Sequence, residues 1–152
     1  MDIKKILVPH DGDQMSDKAA IYAAELAKAL NAEIILLYVI EEIEVPATLL
    51  LGNDRVLIER ARRSIARSIE QRWNKFAQDK AKLLSSEKVK VSSNLKTGDP
   101  AEQIVKFAKE TSADMIVMGS RRLEGVSKVV VALGSVARKV SERASCPVML
   151  VH

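Results

Sequence analysis

The sequence predicts a three-layer α/β domain built on a parallel β-sheet, and three observations carry that prediction. Short apolar runs alternate with longer segments of helical periodicity, in the order βαβαβαβαβ. The run EIILLYVI at residues 33–40 is apolar almost without interruption, as expected of a strand covered on both faces. Runs end in turn residues, Pro9-His10-Asp11-Gly12 after the first and Gly119-Ser120 after the fourth. Strands separated by helices imply parallel pairing through right-handed crossovers.

The first strand is IKKILV, residues 3–8. Ser16 can cap the helix that follows, whose apolar positions Ala20, Ala23, Ala24, Ala27 and Leu30 keep helical spacing until Asn31 stops it. His10 reads as a loop residue. After the second strand, residues 41–53 form a looser link, and its Leu49-Leu50-Leu51 triplet suits a lid, a partner contact or core. A long helix spans 54–84. Ile58, Ala61, Ile65, Ile69, Trp73 and Phe76 form its expected buried stripe, with Arg60, Arg63 and Arg67 on roughly the opposite face. Residues 88–95, which place Val89, Val91 and Ser93 among polar residues, suit an edge strand. Asp99 caps the third helix and Pro100 takes its first position; it runs to about residue 111, burying Ile104, Val105 and Ala108. MIVM at 115–118 is the fourth strand, 135–143 a helix, and PVMLV at 147–151 the last strand.

At 152 residues the chain is expected to be one domain over 1–152. Its apolar content of 47% excludes a disordered chain. No apolar run approaches the roughly 20 residues of a membrane span, and no secretory signal precedes Ile3, so a cytoplasmic protein is expected. The single Cys146 excludes an intramolecular disulfide framework and reads as a structural thiol. The net charge of +4 is concentrated in 54–84, which holds nine Lys or Arg against four Asp or Glu. That helix reads as a solvated face rather than a nucleic-acid site, because Trp73 and Phe76 belong to its buried stripe and leave no aromatic for base stacking. There is no G-x-x-x-x-G-K-S/T, no pairing of Ser, Cys or His that suggests a nucleophile, and too few His and Cys for zinc.

The chemistry concentrates in residues 114–137, DMIVMGSRRLEGVSKVVVALGSVA. A strand ends in Gly119-Ser120, a polar loop carries Arg121 and Arg122, and Gly134-Ser135 opens a helix. Backbone N–H groups at such a helix start favour an anion, and loops at the carboxyl ends of parallel strands are where open α/β sheets bind ligands.

ILVPHDG, TGDPAEQIVKFAKE and ADMIVMGSRR followed by GSVARKVSERASCPVMLV, in this order, resemble the universal stress protein family from Ile3 to Val151. The resemblance implies a five-stranded parallel sheet of order 3-2-1-4-5 (an adenine nucleotide alpha hydrolase-like fold) and a homodimer. It also implies one of two functions, since some members bind ATP and others do not. In binders, G-x-x-G, nine residues and G-S/T hold the phosphates. Gly119 and Gly134-Ser135 match the ends of that pattern, but Arg122 replaces the second glycine, the gap to Gly134 is two residues longer, and Ala137 replaces a hydroxyl. Pro9 and Asp11 stand where the family packs the base and bonds the ribose, Val39 where backbone meets the adenine edge, and Met118 before the loop.

The expected ligand is therefore ATP or another adenine nucleotide. It would be held by Pro9, Asp11, Val39, Met118, Gly119, Arg121, Arg122, Gly134, Ser135 and Val136, with Arg122 clamping or obstructing the terminal phosphates. Asp11 equally suits capping its own turn. Hydrolysis would be slow at most, since no general base stands beside the loop. Three functions follow: a dimeric nucleotide-binding stress sensor or regulatory module, a nucleotide-independent interaction protein with a degenerate pocket, or a nucleic-acid binder using the basic helix. The homodimer is expected through Val148, Met149, Leu150 and Val151, an apolar strand left at the sheet edge.

Overall fold

The computed structural model describes residues 2–42, 44–86, 88–120 and 134–152. Its strands are β1 (Lys5–Pro9), β2 (Glu33–Ile40), β3 (Val91–Thr97), β4 (Met115–Gly119) and β5 (Val148–Val151). The helices are α1 (Gln14–Leu30), α2 (Arg55–Leu84), α3 (Pro100–Glu110) and α4 (Ser135–Arg143), with a short 3-10 turn at Ala47–Leu50. The five strands form one parallel sheet of order β3-β2-β1-β4-β5, as the resemblance implied.

Alternation along the strands builds two cores. Ile6, Val8, Ile34, Leu36 and Val117 face α1 and α2 and pack on Ala19, Ala20, Ala23, Ala27, Trp73 and Ala77. Leu7, Ile35, Leu37, Ile116 and Met118 face α3 and α4 and pack on Ile104, Phe107, Ala108, Ala137 and Val140. This two-sided burial is why β2 is apolar throughout. The alanine face of α1 lets that helix lie close to the sheet.

Several local signals act as expected. Asn31 ends α1 in the left-handed conformation, φ 55°. Asp99 accepts the Glu102 amide and Pro100 opens α3. Phe107, absent from the expected core, is buried, whereas Val105 packs only at its margin. Cys146 is half-buried beside the second core, and burial pushes its thiol up, away from the reactive thiolate.

Other expectations fail. The cap of α1 is Asp13, whose carboxylate accepts the Ser16 amide at 2.8 Å; Ser16 lies inside the first turn, buried. β3 begins at Val91 rather than residue 88. Of the expected stripe of α2 only Trp73 is buried, with Phe76 half-buried against the first core and Ala77 buried beside them, while Ile65 is 47% exposed and Ala61 is open to solvent. Length explains this: 30 residues of helix extend about 45 Å, but the eight residues of β2 reach only about 26 Å, so much of α2 finds no sheet beneath it. Leu49 and Leu51 beside its start are likewise exposed, which removes the core reading of that triplet.

Candidate nucleotide site

A cavity of about 600 Å³ opens at the carboxyl ends of β1, β2 and β4. The sheet order reverses between β1 and β4, so the chain leaves their carboxyl ends toward opposite faces, to α1 and to α4, and a crevice opens there. Pro9, Asp11, Val39, Met118, Gly119, Gly134, Ser135 and Val136 all line it, brought from four separate stretches of chain. Arg121 and Arg122 lie outside the described residues.

The β1–α1 turn forms one wall. Gly12 takes a left-handed φ of 89°, open to glycine at no steric cost. One Asp11 carboxylate oxygen accepts the Asp13 amide at 3.1 Å and the Ser16 hydroxyl at 2.6 Å, so Asp11 does organise its own turn. It also borders the cavity. The far wall is the start of α4. Gly134 is its N-cap and brings no side chain to cap it, and no acidic residue occupies the first turn. Gly134, Ser135 and Val136 border the cavity, so this helix start is a locus there favourable to negative charge. Lys139 in the middle of α4 lies 4.0 Å from Asp99 at the start of α3, a half-exposed ion pair between the two helices.

Between these walls run the end of β2 and the first turns of α3. Leu37 to Glu41, with Pro100 and Ile104, give an apolar floor with a carboxylate at one end. Glu41, Ser16, Pro100 and Ile104 were missed as site residues. Glu41 stood next to an assigned strand end, the one signal available; the others appear only once α1 and α3 are packed.

Gly119 is a glycine for a packing reason. A Cβ there would lie 2.7 Å from the Met15 carbonyl carbon and 2.8 Å from its oxygen, because the first turn of α1 crosses the end of β4. His10 lies in the β1–α1 loop, as expected, but it is buried there. It is 3% exposed, and its ring packs against Trp73 and Phe76. Its Nε2 meets Asp17 at 3.0 Å, and Asp17 pairs with Lys80 of α2. Burial pushes the imidazole down, and the hydrogen bond and charge of Asp17 oppose this incompletely. Partial burial pushes the Asp17 carboxyl up, but Lys80 and His10 together outweigh it and hold it below its ordinary value.

Among the described residues, no group of His, Cys, Asp and Glu is placed to hold a metal ion, and no helix is long and apolar enough to cross a membrane.

Comparison with known proteins covers the whole chain. The model of the universal stress protein family matches residues 2–152. Universal stress protein YxiE of Bacillus subtilis is 34% identical over 148 residues, covering 97% of this chain and 98% of that protein. A universal stress protein solved in complex with cAMP superposes with a TM-score of 0.64 at 21% identity, over 100% of this chain and 99% of its own. The Archaeoglobus fulgidus universal stress protein in complex with dAMP gives 0.62 at 21%, over 100% of both chains.

Proposed function

The chain belongs to the universal stress protein family, and from that premise we propose that its cavity binds an adenine nucleotide and that the protein acts as a dimeric stress-response sensor or regulatory module. One observation carries the reading: a carboxylate-bearing turn and an open helix start face each other across one apolar cavity. Asp11 and Glu41 offer only acceptors, which suits ribose hydroxyls and repels phosphate. The start of α4 favours phosphate. A nucleotide would therefore lie with its sugar toward the β1–α1 turn and its phosphates toward Gly134, Ser135 and Val136. Pro9, Val39 and Met118 supply apolar contact for the base. Two relatives of the same fold solved with cAMP and dAMP support the ligand class. ATP rather than AMP rests on the sequence alone, through Arg121 and Arg122.

Titration calorimetry with ATP, ADP, AMP and cAMP tests this. Binding is expected for the unmodified chain, and Asp11→Ala should weaken it about tenfold or more, the loss of hydrogen bonds to a charged acceptor. The absence of heat with every nucleotide would sink the proposal. A second reading would then stand, an interaction protein with a degenerate pocket. It is favoured by the packing that already accounts for Gly119, a residue that need not serve a phosphate.

A further inference from the structure

The His10 ring lies between the turn that carries Asp11 and the outer helix α2, and no role assigned above uses it. Its Nδ1 is 3.0 Å from the Gly12 amide nitrogen. A backbone N–H can only donate, so Nδ1 must be the bare, accepting nitrogen. The ring proton therefore sits on Nε2 and points at Asp17 Oδ1, 3.0 Å away. The tautomer is dictated by the backbone rather than chosen. The charged or titratable groups facing the ring are Asp17 from α1, Lys80 from α2 and Asp11 from the turn. Trp73 and Phe76 pack against it, with centroids at 6.4 and 5.0 Å, and His10 also borders the cavity. Gly12 stands directly between Asp11 and the α1 cap Asp13, so the amide held by His10 belongs to the segment that sets the Asp11 carboxylate.

Resting on the nucleotide reading above, we propose that His10 is the positioning residue for Asp11: the neutral ring holds the Gly12 amide, and a proton on Nδ1 sets donor against donor, releases the turn and weakens nucleotide binding. Burial pushes the imidazole below its ordinary range, which keeps the ring neutral at neutral pH. The sign follows from linkage. The binding-competent turn requires the unprotonated ring, so affinity is level above the titration and falls as pH drops through it. For one coupled proton the fall approaches about tenfold per pH unit.

Binding of AMP and of cyclic AMP, whose phosphodiester keeps a constant charge, is measured from about pH 8 to about pH 5. The whole chain is used, with far-UV circular dichroism confirming that it stays folded. His10→Asn retains an acceptor near the Nδ1 position but cannot take up a proton. His10→Gln places its amide nearer Nε2 and leaves Gly12 without an acceptor. The unmodified chain should lose affinity toward the acid end, with a slope that steepens toward about tenfold per pH unit, His10→Asn should give a flat profile, and His10→Gln should bind more weakly than His10→Asn throughout. A flat profile in the unmodified chain, or an equal acid limb in His10→Asn, overturns the role of His10 and leaves the nucleotide site standing. Failure of every nucleotide, ATP included, overturns both. If the variants do not fold, nitrogen-15 NMR of the unmodified chain decides: the ring should be the Nε2–H tautomer at neutral pH and the Gly12 amide should titrate with it. A Gly12 amide indifferent to the ring's titration overturns the inference.

Discussion

At the scale of single residues, the turn chemistry around the cavity has two different origins. Gly12 is there for its backbone angle, Gly119 for the space that α1 takes beside it. The second case makes a sharp prediction. The Met15 backbone cannot swing aside as a side-chain tip would, so Gly119→Ala must shift the start of α1 or the end of β4. The expected cost is about 1–3 kcal/mol, the range for overpacking a tight site, read from the urea midpoint of the nucleotide-free protein. If Gly119 served only to admit a phosphate, stability would be unchanged and nucleotide affinity alone would fall.

At the scale of elements, α2 divides into two parts with different energetics. Its carboxyl-terminal part anchors the first core through Trp73, which stacks on Tyr38 at 4.8 Å and meets Phe76 at 5.4 Å. Trp73→Ala should therefore cost about 3–5 kcal/mol in urea unfolding. Ile65, on the same stripe but 47% exposed, should lose less than about 1 kcal/mol when changed to Ala. Equal losses at the two positions would mean that something covers the first half of α2 in solution. The same uncovered stretch carries Arg60, Arg63 and Arg67, none of which lines the cavity.

At the scale of the molecule, the sheet ends in two edges, β3 and β5. β5 is the more apolar, and Met149 on it is 36% exposed. Such an edge invites pairing with another chain, and a twofold partner would close it. We propose a homodimer through Val148, Met149, Leu150 and Val151. Sedimentation at micromolar concentration should give a dimer, and Val148→Lys should shift it to monomer; a monomeric unmodified chain counts against the interface. Gly119 pairs with Val151 in the β4–β5 register, so such an interface would lie one strand from the cavity.

What the sequence by itself determined is what depends on neighbours along the chain. Strand and helix periods, the Asp99-Pro100 start of α3, the Asn31 stop of α1 and the alternation of β with α could all be read from local chemistry. The parallel, two-sided sheet follows from them. Eight of the cavity's lining residues were marked by the family resemblance, whose motifs fall at strand ends and helix starts. Tertiary structure alone decided what depends on distant partners. Burial of His10 needs Trp73 and Phe76 from α2, and the space denied at Gly119 is occupied by Met15 from α1. The open half of α2 reflects the sheet's length, not its own periodicity. A hydrophobic stripe records which face a helix would bury; only the packed sheet decides how far along that face there is anything to bury it against.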